Sequence, residues 1–340
     1  MEIKKEELSM SLNKKIKIVS TGCYLPKAIS SAQLERQHKL PAGWSEKYSG
    51  VKNRHHVTFE SNAYMGARAI ESALENANLH LSEIDLIVSA GATFDYPLPN
   101  QSSVTKSELK DALKHHIPTI DIDTTCLSFI SSFEIVSKIM DKHQYINVVI
   151  VSSEIASNGL NPNNTETLTL FGDAAAAVIL THQEEGESYF VKGAMNTYSE
   201  GVFHTLIKGG GNKYFFKDYP YDQDMHSFNM DGTKLLKLAR KEMKVFLIDF
   251  FEDLDFSLAD IDVIIPHQTS KIGHLLLKKI IGVDEDKVMT NLHDFGNCIS
   301  ASIPLLLHQS IKSEKIKRGD LCLMIGTSAG FSIGASVFRY

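Results

Sequence analysis

The amino-acid sequence predicts an α/β fold built from a unit that occurs twice, with helices packed between and outside two sheets. Strand-like and helix-like segments alternate along the chain, which is typical of this class. Residues 79–93 (LHLSEIDLIVSAGAT) resemble residues 255–270 (DFSLADIDVIIPHQTS), 177 residues later when their Ile-Asp pairs are aligned. The strand-like segment around Val148 resembles the segment around Leu321, 173 residues later. Similar spacing over several elements indicates an internal duplication.

Each element of the first half follows from its local pattern. Apolar runs bounded by glycine, proline or polar turns predict strands. Apolar residues at helical spacing predict helices. The predicted strands are Lys15–Ser20, Ile84–Ala90, Ile120–Ile122, Tyr145–Ser152 and Phe171–Leu180, and the predicted helices are Ser30–His38, Ala63–Ala77, one ending near His115 and one from Cys126 to Met140.

The second half repeats this order of elements. The small-residue strand FGDAAAAVIL has a counterpart in GFSIGASVF near the C-terminus, and residues 296–311 correspond to Cys126 and its helix. We therefore expect a flexible leader at 1–12 and two halves at 13–185 and 186–340. In a doubled α/β unit, the turns after equivalent strands lie on one face, where a shared site can form.

The composition argues against several classes of function. The 340-residue chain is 43% hydrophobic with a formal net charge of −6, so it shows no general preference for nucleic acid or membrane. The four cysteines lie far apart without CxxC spacing, which argues against a disulfide framework or a metal site and indicates the reducing cytoplasm. The N-terminal segment lacks the apolar core of a signal peptide. No apolar run reaches membrane-spanning length.

The segment from Pro118 to Met140 carries the candidate nucleophile, Cys126. A short strand and a polar turn precede this cysteine, and an apolar helix follows it. A thiol at a strand-to-helix turn meets unpaired N–H groups and the helix dipole, so we expect its pKa to be lowered towards the reactive thiolate. The alternative for a single cysteine is an inert core residue.

Two later segments supply partners for Cys126. His267 follows the strand-like VIIP, and Asn297 follows Gly296 before a small-residue helix. Papain-like hydrolases also combine Cys, His and Asn, so hydrolysis is an alternative. Asn cannot take a proton, but its amide can donate to an oxyanion, as can neutral His. Two neutral donors suit the enolate that forms when a malonyl thioester loses carbon dioxide, after an acyl group has been loaded on the thiol.

Several motifs resemble those of the β-ketoacyl-acyl carrier protein synthase III family of the thiolase-like superfamily. They are TTCLSF, FGDAAAAV, PHQTS, GNCISAS and the ending GTSAGFSIGASVFRY. The resemblance covers nearly the whole chain and implies a thiolase-like five-layered αβαβα fold and a homodimer. It implies that Cys126 is acylated and that His267 and Asn297 stabilise the malonyl thioester carbonyl during decarboxylation. It also implies an oxyanion hole made by the backbone N–H groups of Cys126 and Ala329, where Ala329 replaces the family's usual glycine.

The resemblance also indicates where the chain departs from the housekeeping members, in which a tryptophan and two arginines hold the adenine of coenzyme A. Trp44 matches the tryptophan, but Tyr48 and Thr165 stand at the arginine positions. Loss of both guanidinium groups weakens the case for an acyl-CoA donor held in the usual way. Lys52 or Arg54 could compensate, or the acyl group could arrive on a carrier protein.

Three further residues are expected at the substrate site. Leu98 matches the family segment that crosses the dimer interface and closes the partner's acyl pocket, although it could be a simple interface residue. Phe331 is expected to contribute to pocket depth. Ser270 stands where the housekeeping enzymes have Asn, so their hydrogen-bond network cannot be copied unchanged.

The expected partners are an acyl carrier protein and an acyl-CoA or acyl-carrier thioester. Carrier proteins are acidic, and basic faces around Lys237 and Lys279 are candidate docking sites for the phosphopantetheine carrier. The alternative is that these charges form solvated faces. The motifs imply no metal, flavin or nucleotide cofactor beyond the thioester carriers.

The leading functional hypothesis is a decarboxylative Claisen condensation between the acyl group on Cys126 and malonyl-carrier protein, in fatty acid or specialised lipid or secondary-metabolite synthesis. The alternative is a non-decarboxylative condensation, or acyl transfer to another acceptor. That chemistry needs a base near Cys126, for which Glu108 is a remote candidate. A third hypothesis is a non-catalytic partner subunit, against which the presence of Cys126, His267 and Asn297 argues.

Overall fold

The structure is a computed structural model that describes residues 14–340. The predicted leader, residues 1–12, lies outside the described part. The strands are β1 Ile16–Tyr24, β2 Lys27–Ser30, β3 Asn53–His56, β4 Leu86–Ala90, β5 Thr119–Ile122, β6 Asn147–Glu154, β7 Ala174–His182, β8 Tyr189–Thr197, β9 Thr205–Leu206, β10 Asn229–Met230, β11 Val263–Pro266, β12 Leu321–Ser328 and β13 Ser332–Arg339. The helices are α1 Ser31–Gln37, α2 Trp44–Tyr48, α3 Asn62–Ala77, α4 Gln101–Ser107, α5 Ser128–Ile139, α6 Thr165–Leu168, α7 Gly232–Phe251, α8 Lys271–Ile281, α9 Leu292–Phe295 and α10 Ser302–Lys312.

Two large sheets repeat the same strand order. The first sheet runs β1-β7-β6-β4-β5, and the second runs β8-β13-β12-β11. In both sheets the first three pairings have the same directions, antiparallel, antiparallel and then parallel. A parallel bridge between Ile264 and Val288 takes the place of the pairing between β4 and β5. This correspondence confirms the predicted duplication.

Five layers follow from where the apolar faces are buried. Helices α5 and α10 lie between the sheets, in one core cluster with residues from both. Helix α3 covers the outer face of the first sheet, and α7 and α8 cover the outer face of the second. Buried strands such as β6 and β7 are apolar on both faces because helices cover each side. The predicted αβαβα architecture is therefore confirmed.

The two sheets use consecutive parts of the chain. The first draws its strands from residues 16–182 and the second from residues 189–339. This separation supports our proposed division into halves at 13–185 and 186–340.

Some element boundaries differ from those predicted. The helix expected to end near His115 ends at Ser107, and a separate single turn covers Ala112–Lys114. Asp111 adopts a left-handed backbone conformation that breaks the continuous helical path. The strand predicted at Phe171–Leu180 begins at Ala174 and continues to His182, because it pairs with β1 and β6 over that span.

Candidate active site

Cys126, His267 and Asn297 line one cavity of about 770 Å³. The predicted duplication brings them together, because each lies in a turn at a helix entrance and these turns meet on one face. The same cavity is lined by further residues that the sequence predicted for the site, namely Trp44, Ser270, Ala329 and Phe331. Leu98, Lys237 and Lys279 do not line the cavity of their own chain.

Cys126 lies within a short 3₁₀ turn, Thr125–Leu127, that precedes α5. Thr125 has φ of 53°, and its backbone N–H donates to Oδ1 of Asp123 at 2.7 Å. The Ser128 hydroxyl oxygen accepts from the backbone N–H of Thr124 at 3.0 Å. These bonds compensate for the left-handed residue and hold the thiol at the end of the turn.

The turn before α10 repeats this geometry. Ile299 has φ of 49°, and its backbone N–H donates to Oδ1 of Asn297 at 2.9 Å. The Ser302 hydroxyl oxygen accepts from the backbone N–H of Cys298 at 2.9 Å. Asn297 therefore occupies the place of Asp123 in the first turn, and Ser300 occupies the place of Cys126.

Backbone N–H groups surround the thiol as an oxyanion hole requires. The backbone N–H groups of Ala329 and of Cys126 itself lie near the Cys126 sulfur and act to lower its pKa. The Thr125 hydroxyl donates to the Ala329 carbonyl at 3.2 Å and ties the two turns together. Gly330 and Phe331 have φ of 78° and 42°, whereas Ala329 stays outside the left-handed region, so alanine fits there without strain.

The expectation that the turn lowers the Cys126 pKa is wrong for this structure. Burial raises the pKa of the Cys126 thiol to about 12, and the negative charge of Glu154 raises it further. The N–H groups of Ala329 and Cys126 oppose this shift without overcoming it. The resting thiol is therefore protonated and must lose its proton as the substrate is attacked.

His267 is held in the uncharged form that an oxyanion donor requires. It follows β11, is only 4% exposed, and its backbone N–H donates to the Ile325 carbonyl at 2.8 Å. Burial lowers the pKa of its imidazole to about 4, so the ring is neutral near pH 7. A Cβ at Gly326 would lie 2.7 Å from the Cβ of His267, so the facing strand must have glycine there.

The Asn297 amide is oriented by bonds to both of its ends. While Oδ1 accepts from Ile299, Nδ2 donates to the Thr269 carbonyl at 3.3 Å. The amide has two N–H hydrogens, so a second donor is available to the cavity. Asn297 is 6% exposed, and no cation lies among its hydrogen-bond partners.

Sequence analysis missed Gln268, which fixes the loop between the two donors. Its Oε1 accepts from the Thr290 hydroxyl at 2.9 Å and from the backbone N–H groups of Asn291 and Leu292 at 3.2 and 3.1 Å. Its Nε2 donates to the Pro266 carbonyl at 2.8 Å. Its position directly after His267 in the PHQTS motif was the available signal. Ser270 itself caps α8, and its hydroxyl oxygen accepts from the backbone N–H of Gly273 at 3.1 Å.

The cavity lining around Trp44, Thr165 and Ser270, which we call the mouth, differs from a site where a tryptophan and two arginines hold adenine. The Trp44 ring packs against Tyr48, with ring centroids 4.2 Å apart. The suggestion that Arg54 replaces a missing arginine is wrong, because Arg54 is fully buried and donates to the Ser31 hydroxyl and the Thr169 carbonyl. Lys52 is exposed, so that alternative stays open.

Glu154 is a second residue that sequence analysis missed. It ends β6 with no exposed surface and accepts hydrogen bonds from the backbone of Ala92 and Thr93, and from the Thr93 and Ser300 hydroxyls. It thus joins the loop after β4 to the turn that is equivalent to the Cys126 turn. Burial raises the pKa of the Glu154 carboxyl to about 7 in spite of these bonds.

This shift predicts a measurable pH dependence of stability. In the unfolded chain, Glu154 loses its proton above pH ~4.3, whereas in the folded protein it keeps the proton up to about pH 7. The free energy of unfolding therefore falls as the pH rises through this range. When the pH is raised from about 4.5 to 7.5, we expect the free energy of unfolding of wild type to fall by on the order of 3 kcal/mol more than that of Glu154→Gln. Denaturant unfolding at several pH values measures this. Exposed Glu187→Gln should keep the wild-type slope, and equal slopes for wild type and Glu154→Gln would contradict the prediction.

Comparisons with known proteins agree with this geometry. Residues 120–199 match the family model described as 3-oxoacyl-[acyl-carrier-protein (ACP)] synthase III, and residues 251–340 match the model of its C-terminal part. A β-ketoacyl-[acyl-carrier-protein] synthase III of Aquifex aeolicus is 30% identical over 326 residues, which cover 95% of this chain and 99% of that protein. The chain belongs to the 3-oxoacyl-[acyl-carrier-protein] synthase III family. This confirms the resemblance predicted from the motifs, and the chain is accordingly a condensing acyltransferase.

Solved structures support the same fold. The crystal structure of 3-oxoacyl-[acyl-carrier-protein] synthase III from Aquifex aeolicus has a TM-score of 0.84 and 28% identity, covering 96% of this chain and 100% of that one. The priming β-ketosynthase of the R1128 polyketide pathway, at 21% identity, has a TM-score of 0.85 and covers 96% of each chain. Xanthomonas campestris OleA, at 18% identity, has a TM-score of 0.82, covering 96% of this chain and 99% of that one. At these lower identities the likeness concerns the fold alone.

Residues 14–340 show neither a cluster of metal-ligating side chains nor a helix able to span a membrane. They contain no group of three or more His, Cys, Asp or Glu side chains placed to hold a metal ion. No helix in the same range is long and apolar enough to cross a membrane.

Proposed function

We propose that the protein loads an acyl group onto Cys126 and condenses it with a malonyl group on an acyl carrier protein, releasing carbon dioxide. The observation that carries this proposal is the placement of one thiol and two neutral donors, His267 and Asn297, in a single cavity. Such donors stabilise a developing enolate without removing a proton from the substrate.

The reaction has two balanced steps. The Cys126 sulfur attacks the thioester carbonyl, and the N–H groups of Cys126 and Ala329 stabilise the oxyanion. The carbon–sulfur bond of the donor thioester then breaks, and the proton of the Cys126 thiol passes to the departing carrier sulfur, which leaves as a thiol. In the second step the malonyl carboxylate leaves as carbon dioxide, and its electron pair forms an enolate held by His267 and Asn297. The enolate carbon attacks the acyl carbonyl, a carbon–carbon bond forms, and the bond between that carbonyl and the Cys126 sulfur breaks. The released sulfur takes a proton from water and is again a thiol.

The alternative, condensation without decarboxylation, needs a base beside Cys126. Glu108 is exposed at the end of α4 and does not line the cavity. Glu166 does line the cavity, but it lies beside Gly232 at the start of α7. Glu154 does not line the cavity, and its oxygens face Ala92, Thr93 and Ser300. These positions favour the decarboxylative reaction within this chain.

For the partners, we propose docking of an acidic carrier protein at Lys237 and Lys279. Both are exposed, and neither forms an ion pair with any residue from 14 to 340, whereas Lys234 and Lys241 are paired with acidic residues. The absence of arginine at Tyr48 and Thr165 favours acyl-carrier protein over acyl-CoA as the donor. The ammonium groups of Lys237 and Lys279, unpaired within the described part of the chain, can therefore form ion pairs with acidic side chains of a carrier protein.

We also propose a homodimer in the cytoplasm. Leu98 is 85% exposed and lies outside its own chain's cavity, as expected for a residue that closes a partner's pocket. All four cysteines are free thiols, which fits a reducing compartment. The phosphopantetheine or coenzyme A thioesters act as substrates, and no resident cofactor is needed for either step.

The ratio of carbon dioxide to product tests the proposed reaction. With carboxyl-labelled malonyl-carrier protein and an acyl-carrier donor, we expect one carbon dioxide released for each 3-oxoacyl product. Glu108→Gln should leave both yields unchanged, because Glu108 lies outside the cavity. Product formed without carbon dioxide, and lost in Glu108→Gln, would instead establish the non-decarboxylative reaction.

A further inference from the structure

Where helices α7 and α8 line the cavity, its wall is largely apolar, and we call this part, which the reaction described above does not use, the branch. Six of its lining residues are Leu235, Leu236, Ala239, Met243, Leu276 and Leu277. All six side chains are hydrocarbon or thioether, and none can hydrogen-bond strongly to a polar ligand. The branch differs in this respect from the mouth, where Trp44, Thr165 and Ser270 present polar atoms.

The branch exists because of the spacing and size of its side chains. Leu235, Ala239 and Met243 recur every fourth residue and form one stripe along α7. Ala239, the smallest of them, leaves space at the middle of this stripe. Leu235, Ala239 and Ile280 are only partly buried although they pack against the core of the second sheet, so apolar surface remains open to the cavity.

The branch is continuous with the reacting centre. Phe331 follows Ala329 by two residues, lines the same cavity, and belongs to one apolar cluster with Met243 and Leu277. Phe331 therefore connects the Ala329 turn to the residues of α7 and α8 within one cavity. Two other aromatic residues, Phe94 and Phe203, are 43% and 74% exposed and do not line this cavity.

We propose that this branch binds the hydrocarbon tail of a medium- or long-chain acyl thioester. This inference names the substrate class of the proposed function and rests on that function. A cavity of about 770 Å³ lies in the size range of sites for drug-sized ligands, larger than an acetyl group would fill. A phosphopantetheine arm carries amides that need hydrogen-bond partners, so it belongs at the polar mouth. The tail belongs to the acyl group on Cys126 or to a second thioester whose reacting carbon lies beside Cys126.

The first test compares acylation of Cys126 by butanoyl- and dodecanoyl-pantetheine, measured as the rate of adduct formation by intact mass. Ala239→Trp fills the branch, and Ala239→Leu is a milder replacement in case the larger one fails to fold. Each buried methylene strengthens binding about fourfold, so displacing two should slow dodecanoyl loading by about tenfold or more, with butanoyl loading changed less than about twofold. Val245→Trp, exposed on the same helix and outside the cavity, should behave as wild type.

The second test identifies whose tail occupies the branch. S-dodecyl-pantetheine, an unreactive thioether, is titrated against enzyme already butanoylated on Cys126, or against free enzyme if no donor loads. Binding that Ala239→Trp weakens about tenfold, without an effect on dodecanoyl loading, assigns the branch to the second thioester. If Ala239→Trp and Ala239→Leu change neither measurement, or slow both donors equally, the branch does not bind the tail. If neither pantetheine donor loads wild type, loading from acyl carrier protein decides the covalent mechanism, while the thioether titration decides the branch.

Discussion

Replacing Cys126 by alanine is expected to lower condensation by on the order of 10⁴-fold or more, because no other group in the cavity can carry the acyl intermediate. The thiol is surrounded by the N–H groups of Ala329 and Cys126, which have no covalent role of their own. Decarboxylation of malonyl-carrier protein should persist in the variant, since His267 and Asn297 are unchanged. The product is measured after rapid quenching, and carbon dioxide is measured in parallel.

A second cysteine provides the control for this substitution. Cys23 is also a free, partly buried thiol, but it lies in β1 and does not line the cavity. Cys23→Ala should condense at the wild-type rate. Residual condensation by Cys126→Ala above one-hundredth of wild type would show that the acyl group is not carried by Cys126.

Replacing His267 or Asn297 by alanine is expected to lower decarboxylation by about 10²- to 10³-fold, the usual cost of losing one oxyanion donor. The physical reason is that each side chain supplies an uncharged N–H, from an imidazole held neutral by burial and from an amide oriented by Thr269 and Ile299. Acylation of Cys126 should continue, because its oxyanion hole is made of backbone. The readout is carbon dioxide release beside the acyl adduct mass.

His308→Ala is the matched control for this pair. His308 is buried like His267, but its ring bonds to the Thr21 hydroxyl and lies outside the cavity. It should change neither step. Loss of acylation together with decarboxylation in both His267→Ala and Asn297→Ala would mean that these residues act on the first step, or only support the structure.

The fold and the meeting of Cys126, His267 and Asn297 in one cavity could be predicted because their signals are local. The motifs around Cys126, His267 and Asn297 each combine a strand, a polar turn and a helix, and the near-equal offsets between repeated segments show that these turns are equivalent. The left-handed conformations of Thr125 and Ile299 could not be predicted, because neither residue is a glycine. The matching serines after each turn explain how they are held.

Properties that depend on distant segments could not be predicted. The high pKa of the Cys126 thiol comes from burial and from Glu154, which lies on another strand. Arg54 lies in a polar segment, which predicts an exposed cation that could bind substrate. In the structure, however, its guanidinium is buried and donates to Ser31 and Thr169. The apolar branch arises from how α7 packs against α8. The small side chain of Ala239, between Leu235 and Met243, leaves space only because α8 lies opposite it.

The intact mass of the wild-type protein after exposure to acyl thioesters tests the central claim most directly. The donors are short- and long-chain acyl groups carried on coenzyme A and on acyl carrier protein. We predict one acyl group added per chain, located on Cys126 by peptide mass and absent from Cys126→Ala. A folded protein that acquires no acyl group from any of these donors would contradict the covalent mechanism.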